Sequence, residues 1–154
     1  GFGEAEFVRL GQIHRNTYVN APALLSEELN MKQHRNIFFA GQISGVEGYT
    51  ESIATGLLAG LNVVRAARGL PVVPPPRATA LGSLVNYICH AEARSFQPAN
   101  ITFDLLPQLD ENIRKRVRDK KLRHRMVCES ALQSCSAWLE QISSDAPAAI
   151  ETEP

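Results

Sequence analysis

The fold is decided by the stretch FFAGQISGVEGYTESIATGLLAG, residues 38–60. The short apolar run at 36–40 predicts a buried parallel strand, three glycines follow it, and a helix is predicted over 49–68, with Gly69 just after its end. Glycines between a strand and a helix N-terminus let backbone N–H groups approach a ligand that a Cβ would hold off. The stretch predicts a cofactor site, with a purely structural turn as the alternative.

Length and composition fit one soluble domain. The chain has 154 residues, and its 16 basic and 16 acidic side chains cancel, but eight of the basic ones lie within 114–125. Three cysteines without a CxxC pair argue against a disulfide framework or a thiolate zinc site and favour a reducing, cytoplasmic compartment. The longest apolar run, 53–67, is too short to span a bilayer, so we expect no membrane partner.

The rest of the chain reads as three further helices. One is predicted over 79–94, after a proline-rich linker at 71–77, and two more over 110–128 and 129–142, with Asp110 as the N-cap of the first. Gly56 and Gly60 lie one turn apart, which favours a flat stripe packed on the sheet. The tail from 143 onward is expected to be disordered.

Several segments together resemble one family. They are AGQISGVEGYTES at 40–52, EFVR at 6–9, HRNTY at 14–18, TALG at 79–82 and FQP at 96–98 with Asn100. The set is similar to the folate- and FAD-dependent tRNA (uracil-5-)-methyltransferases, TrmFO, which are related to GidA/MnmG. The resemblance covers about 1–142 and implies an α/β fold. Residues 1–105 would be the C-terminal half of a Rossmann-like FAD-binding domain, 106–142 a helical extension, and 143–154 a tail.

The resemblance implies a methyltransferase acting in tRNA processing. The family transfers a methylene carbon from 5,10-methylenetetrahydrofolate through reduced FAD to C5 of uridine 54 in the tRNA T-loop, with NAD(P)H as reductant. The family's N-terminal half, which carries GxGxxG and the catalytic cysteines, has no counterpart here, and no catalytic residue is assigned in this chain. We expect an enzyme as the full protein, with that missing half as a partner, and inactivity of this chain alone.

The family pattern also assigns site residues. For FAD they are Gly41, Gln42, Gly45, Glu47, Gly48 and Tyr49; for folate they are His14, Arg15 and Asn16. A tRNA contact follows from clustered cations that neutralise phosphate, at Arg114, Lys115, Arg118, Lys121 and Arg125. No metal ligand is expected. Judged by residue type alone, Tyr49 is equally a core aromatic, His14 a surface histidine and the basic segment a solvated helix face.

The chain departs from the family pattern at two places, and the sequence leaves two alternative functions open. Asp104 stands where the family usually has Gly, which puts a charge into the turn at 103–107, and Arg77-Ala78 replaces the usual residues before Thr79. One alternative is a GidA/MnmG-like tRNA uridine-modifying flavoprotein, disfavoured by HRNTY and by the missing long C-terminal helical domain. The other is a non-catalytic RNA-binding or assembly module that kept the fold and lost the chemistry.

Overall fold

A computed structural model describes residues 17–144, which are mostly helical. The helices are α1 (Ala21–Leu24), α2 (Tyr49–Ala67), α3 (Ala80–His90), α4 (Glu111–Arg116) and α5 (Lys120–Ser144), with one 3-10 turn at Gly41–Ser44. Strand pairing in this part of the chain is confined to three isolated bridges. The predicted α/β sheet is therefore not formed among the described residues.

The prediction of a buried parallel strand over 36–40 was wrong, both in the burial of these residues and in the direction of their pairing. Phe38 pairs with Asn30 in an antiparallel bridge, and the Phe39 N–H donates to the Leu29 carbonyl at 2.8 Å. Ile37 is exposed rather than buried. The reason lies in the preceding residues, which double back through a turn and offer their backbone as a local antiparallel partner. An apolar run alone does not distinguish this from a buried parallel strand.

Helix α2 confirms the prediction for 49–68. Its last residue is Ala67, and Gly69 follows with φ +67°, where the Leu70 N–H donates to the Arg65 carbonyl at 2.9 Å. One face of α2 carries Thr55, Leu58, Ala59, Asn62 and Arg65 and is buried. That face and α1 pack on α3, which contributes most of its length to the core.

The packing stripe predicted for Gly56 and Gly60 was wrong. Both glycines are exposed, and a Cβ added to either would meet nothing within 4 Å. They lie on the side of α2 opposite α3, together with Ile53, whose side chain is 73% exposed, and Leu57. Because helix α2 buries its other face, small residues on the outer face serve no close contact within residues 17–144.

Helix α3 begins within one residue of its predicted start and ends earlier than predicted. Thr79 is the N-cap, and its hydroxyl accepts from the Gly82 N–H at 2.9 Å. A Cβ on Gly82 would overlap the Pro76 carbonyl, so the approach of the proline-rich linker requires glycine there. The helix stops at His90 rather than 94 because Ala91 turns extended, and the Ala93 carbonyl then accepts from the Asn20 amide at 3.0 Å.

The C-terminal helices divide at a different point from the one predicted. Asp110 caps α4 as expected, accepting from the Asn112 N–H at 2.8 Å, but α4 ends at Arg116. Helical structure begins again after Asp119, whose carboxylate accepts from the Lys121 N–H at 2.8 Å. Helix α5 then runs unbroken through 128–129, since neither Gly nor Pro interrupts it there.

The end of α5 is held by one aromatic anchor. The Trp138 indole N–H donates to the Val73 carbonyl at 2.9 Å, which fixes α5 to the proline-rich linker, and the ring is buried. Residues 143 and 144 belong to α5, so the predicted tail does not begin at 143, and 145–154 lie outside the described residues. None of the helices within 17–144 is long and apolar enough to cross a membrane.

Candidate functional site

The turn before α2 is bonded to the helix that follows it. Gly41, at φ +65°, opens the 3-10 turn, and its N–H donates to the Thr55 hydroxyl at 3.0 Å. The Ser44 hydroxyl donates back to the Gly41 carbonyl at 2.7 Å. Gly41 is buried, and its N–H is engaged within the fold. Sequence reasoning missed Thr55, whose position inside a helix carried no signal of this role.

Gly45 is required by a neighbouring aromatic ring. It has φ +85°, and a Cβ there would stand 2.7 Å from Phe96 Cε1 and closer still to Cζ. Backbone bonds hold this approach: the Ala99 N–H donates to the Gly45 carbonyl at 3.1 Å, and the Glu47 N–H donates to the Ala99 carbonyl at 3.0 Å. The structure thus gives Gly45, which is itself buried, a packing role beside Phe96.

Gly48 lies where the segment at 96–101 reaches the turn. It caps α2 with φ +92°, and a Cβ there would overlap the Glu51 carboxylate and stand 2.8 Å from the Asn100 amide nitrogen. The Glu51 carboxylate also accepts from the Ile101 N–H at 3.2 Å. The segment at 96–101 therefore forms one wall of the turn. Its FQP–Asn100 pattern was the only sequence signal of this contact.

The outer surface of the turn is open. Gln42, Gly48, Tyr49 and Ser52 line a shallow depression of about 370 Å³, and Glu47 is exposed beside Gly48 in the chain. Tyr49 is 92% exposed, which excludes the core aromatic reading within the described part of the chain. The structure therefore brings Gln42, Gly48 and Tyr49 to one surface, while Gly41 and Gly45 lie behind it.

This surface fits the edge of a flat, electron-rich ligand such as a flavin ring. No side chain caps the start of α2. The first N–H groups of a helix have no intrahelical acceptor, and the helix dipole makes that end positive. An exposed aromatic side chain at the first helical position adds a surface for stacking. Gln42 supplies a side-chain amide that both donates and accepts hydrogen bonds.

The structure does not reach the predicted folate residues but does describe the environment of Cys89. His14, Arg15 and Asn16 lie outside the described residues. Cys89 is a buried core residue on α3; its thiol donates to the Ser26 carbonyl at 3.2 Å, and burial, with a smaller contribution from Glu27, raises its pKa to about 12. A thiol held neutral in this way is a poor nucleophile. Among the described residues no group of three His, Cys, Asp or Glu side chains converges as metal ligands would.

The basic segment spans two helices and the link between them. Its five predicted contact residues are all exposed: Arg114, Lys115, Arg118, Lys121 and Arg125. Lys115 forms an ion pair with Glu111 at 2.9 Å, one turn earlier on α4. Residues 117–119 are not helical and separate α4 from α5. Sequence reasoning treated this region as one helix and missed that break.

A comparison with protein families finds a match in the first half of the chain. The family model described as glucose inhibited division protein A matches residues 1–71. The match includes α2 and the whole turn at 41–48, which we call the glycine turn. Residues 1–71 are thus similar to the GidA-type FAD-binding flavoproteins. This similarity supports an FAD-binding, Rossmann-like fold for a region of which the structure describes residues 17–71.

Individual relatives are more specific. The chain is 70% identical over 139 residues to the methylenetetrahydrofolate–tRNA-(uracil-5-)-methyltransferase TrmFO of Koribacter versatilis, covering 90% of this chain and 31% of the relative. The TrmFO proteins of Solibacter usitatus and Geotalea uraniireducens are 58% and 52% identical over 143 and 142 residues, each match covering 92% of this chain and 32% of the relative. The resemblance to TrmFO is confirmed, and the chain spans about a third of these relatives' length.

Proposed function

We propose that this chain supplies the flavin-ring side of the cofactor site and a tRNA contact in a TrmFO-type methyltransferase. The full protein would methylate C5 of uridine 54 in the tRNA T-loop, with 5,10-methylenetetrahydrofolate as carbon donor, FAD as cofactor and NAD(P)H as reductant. One observation carries the proposal: Gln42, Gly48 and Tyr49 meet at the uncapped start of α2, in a chain 70% identical to a protein named TrmFO.

The described residues have distinct tasks at this site. Bound FAD supplies the redox and one-carbon transfer chemistry. The N–H groups at the start of α2 stabilise negative charge on the ring edge that faces them, because the helix dipole adds to their hydrogen bonds. The exposed Tyr49 ring would pack against the flavin. The task of Glu51 is structural, because its bond to the Ile101 N–H keeps the turn and the segment at 96–101 together.

The tRNA contact belongs to the basic segment. Exposed arginines and lysines on α4 and α5 neutralise phosphates and release counterions, so binding weakens as salt rises. His14, Arg15 and Asn16 are proposed to bind folate, on the family pattern alone. We further propose that the 154-residue chain by itself holds little FAD, since its described residues form only one open surface of the site.

A chimera tests the proposal. The matching third of the Koribacter versatilis TrmFO is replaced by this chain, and flavin content and methylation of T-loop RNA are measured. We expect a yellow protein that methylates the RNA when folate donor and NAD(P)H are present, whereas the isolated chain stays colourless and inactive. A folded chimera that retains FAD but does not methylate uridine would favour the GidA/MnmG-like function instead, which the family match over 1–71 supports. A colourless chimera would contradict both.

A further inference from the structure

A second site lies at the junction of α4, α5 and the turn at 103–105, and its lining shares no residue with the depression at the start of α2. The Phe103 ring stacks on the His124 imidazole, with ring centroids 3.9 Å apart and an interplanar angle of 9°. Phe103 remains 40% exposed although one of its faces is covered. The His124 ring is half-buried on α5 and supports Phe103 from that side.

The turn that presents Phe103 is fixed from two sides. The Leu105 carbonyl accepts from the Arg77 guanidinium at 2.6 Å, and the Leu105 N–H donates to the Thr102 carbonyl at 3.1 Å. Arg77 is itself bonded to the Ser83 hydroxyl on α3 at 3.1 Å. The aromatic pair therefore rests on a preorganised support, which lowers the entropy lost when a ligand binds.

Cations surround the stacked pair. Phe103 and His124 border a cavity of about 130 Å³ whose charged lining residues are Arg114, Lys120, Arg123 and Asp104. A neighbouring depression of about 330 Å³ shares Arg114 and Arg123 and adds the Glu111–Lys115 ion pair, which is neutral overall. Three cations therefore outnumber one unpaired carboxylate, and the site favours an anion next to an aromatic face.

We propose that this site binds one unpaired nucleotide of RNA, with its base on Phe103 and its phosphate on Arg114, Lys120 and Arg123. Single-stranded nucleic acids are bound by this combination of an aromatic platform and a cationic groove, whereas a duplex keeps its bases stacked inside and offers only phosphates. This site rests on the tRNA contact proposed above and makes it specific: the basic segment binds an unpaired loop or end of the RNA rather than a duplex.

Fluorescence anisotropy with two labelled RNAs tests this site: a hairpin with an unpaired loop carrying 2-aminopurine, and a blunt duplex of equal length. Phe103→Leu weakens hairpin binding by about 5- to 100-fold and abolishes the 2-aminopurine quenching, while duplex binding is unchanged. Phe103→Tyr retains both signals because it keeps the stacking surface. Lys120→Gln lowers the salt slope of hairpin binding by about 0.7.

Controls separate this site from the broader tRNA contact. Arg94→Gln removes an exposed cation outside α4 and α5 and leaves both RNAs bound as before. If Phe103→Leu has no effect while Lys121→Gln weakens both RNAs, the nucleotide site is refuted and the tRNA contact stands. If the chain binds neither RNA, both are refuted. Circular dichroism of each variant verifies that the fold is intact.

Discussion

The glycine at position 45 offers a quantitative test of why this turn has its sequence. In Gly45→Ala the new methyl group would have to adopt φ +85° and would overlap the Phe96 ring. A left-handed conformation costs a non-glycine residue about 1–2 kcal/mol. Moving a buried ring to relieve an overlap costs about 1–3 kcal/mol more. We expect Gly45→Ala to lower the free energy of unfolding by about 2–5 kcal/mol.

Two other glycines separate these contributions. Gly69→Ala has the same backbone problem, at φ +67°, but nothing lies within 4 Å of its Cβ, so it should cost only about 1–2 kcal/mol. Gly56→Ala lies inside α2 with open space around it and should stabilise the protein by about 0.5–1 kcal/mol. The order of stability, Gly56→Ala above wild type above Gly69→Ala above Gly45→Ala, is the expected result.

Urea unfolding followed by Trp138 fluorescence and circular dichroism measures these differences, because the single tryptophan is buried and bonded to Val73. A double-mutant cycle adds Phe96→Leu, which removes the ring that the new methyl group meets. The coupling between Gly45→Ala and Phe96→Leu should be favourable, at about 0.5–3 kcal/mol. A Gly45→Ala protein as stable as Gly69→Ala, or a coupling of zero, would refute the packing argument.

Two further results are expected. At about pH 8 a thiol reagent should modify the exposed Cys128 quickly and the buried Cys89 only after unfolding. Burial raises the pKa of Cys89 in the folded protein from 9.0 to about 12. The contribution of the neutral thiol to the free energy of unfolding is therefore complete below about pH 9 and falls as the pH rises towards 12. Rapid modification of Cys89 in the folded protein would contradict this. Asn62→Ala should cost about 1–3 kcal/mol in urea unfolding, since the Glu28 carbonyl loses the amide that donates to it at 2.8 Å, and a loss below about 0.5 kcal/mol would show that this bond is dispensable.

Features with local causes could be predicted from the sequence. Helix α2 and its end before Gly69 follow from apolar periodicity and a left-handed glycine, and Asp110 and Thr79 cap their helices as residues of their type do. The glycine turn was located correctly because glycines and a helix start are adjacent in the chain.

Features decided by distant residues could not be predicted. Position 45 requires glycine because the ring of Phe96, from a later segment of the chain, lies against it. The apolar run at 36–40 pairs with residues that precede it rather than with a sheet. The stacking of His124 on Phe103 likewise joins two separate segments of the chain. The apolar periodicity of the sequence gives no information about such contacts between distant segments.

The flavin content of the chimera carrying Tyr49→Ala tests the central claim most directly. Tyr49 is 92% exposed in this chain, so its removal leaves the described fold intact, and a lost contact with the cofactor is the expected cause of any lost flavin. Equilibrium dialysis should show FAD affinity reduced by about tenfold in Tyr49→Ala, corresponding to about 1.4 kcal/mol, and largely kept in Tyr49→Phe. Equal FAD affinity in the parent chimera and Tyr49→Ala would contradict the assignment of this surface to the flavin ring.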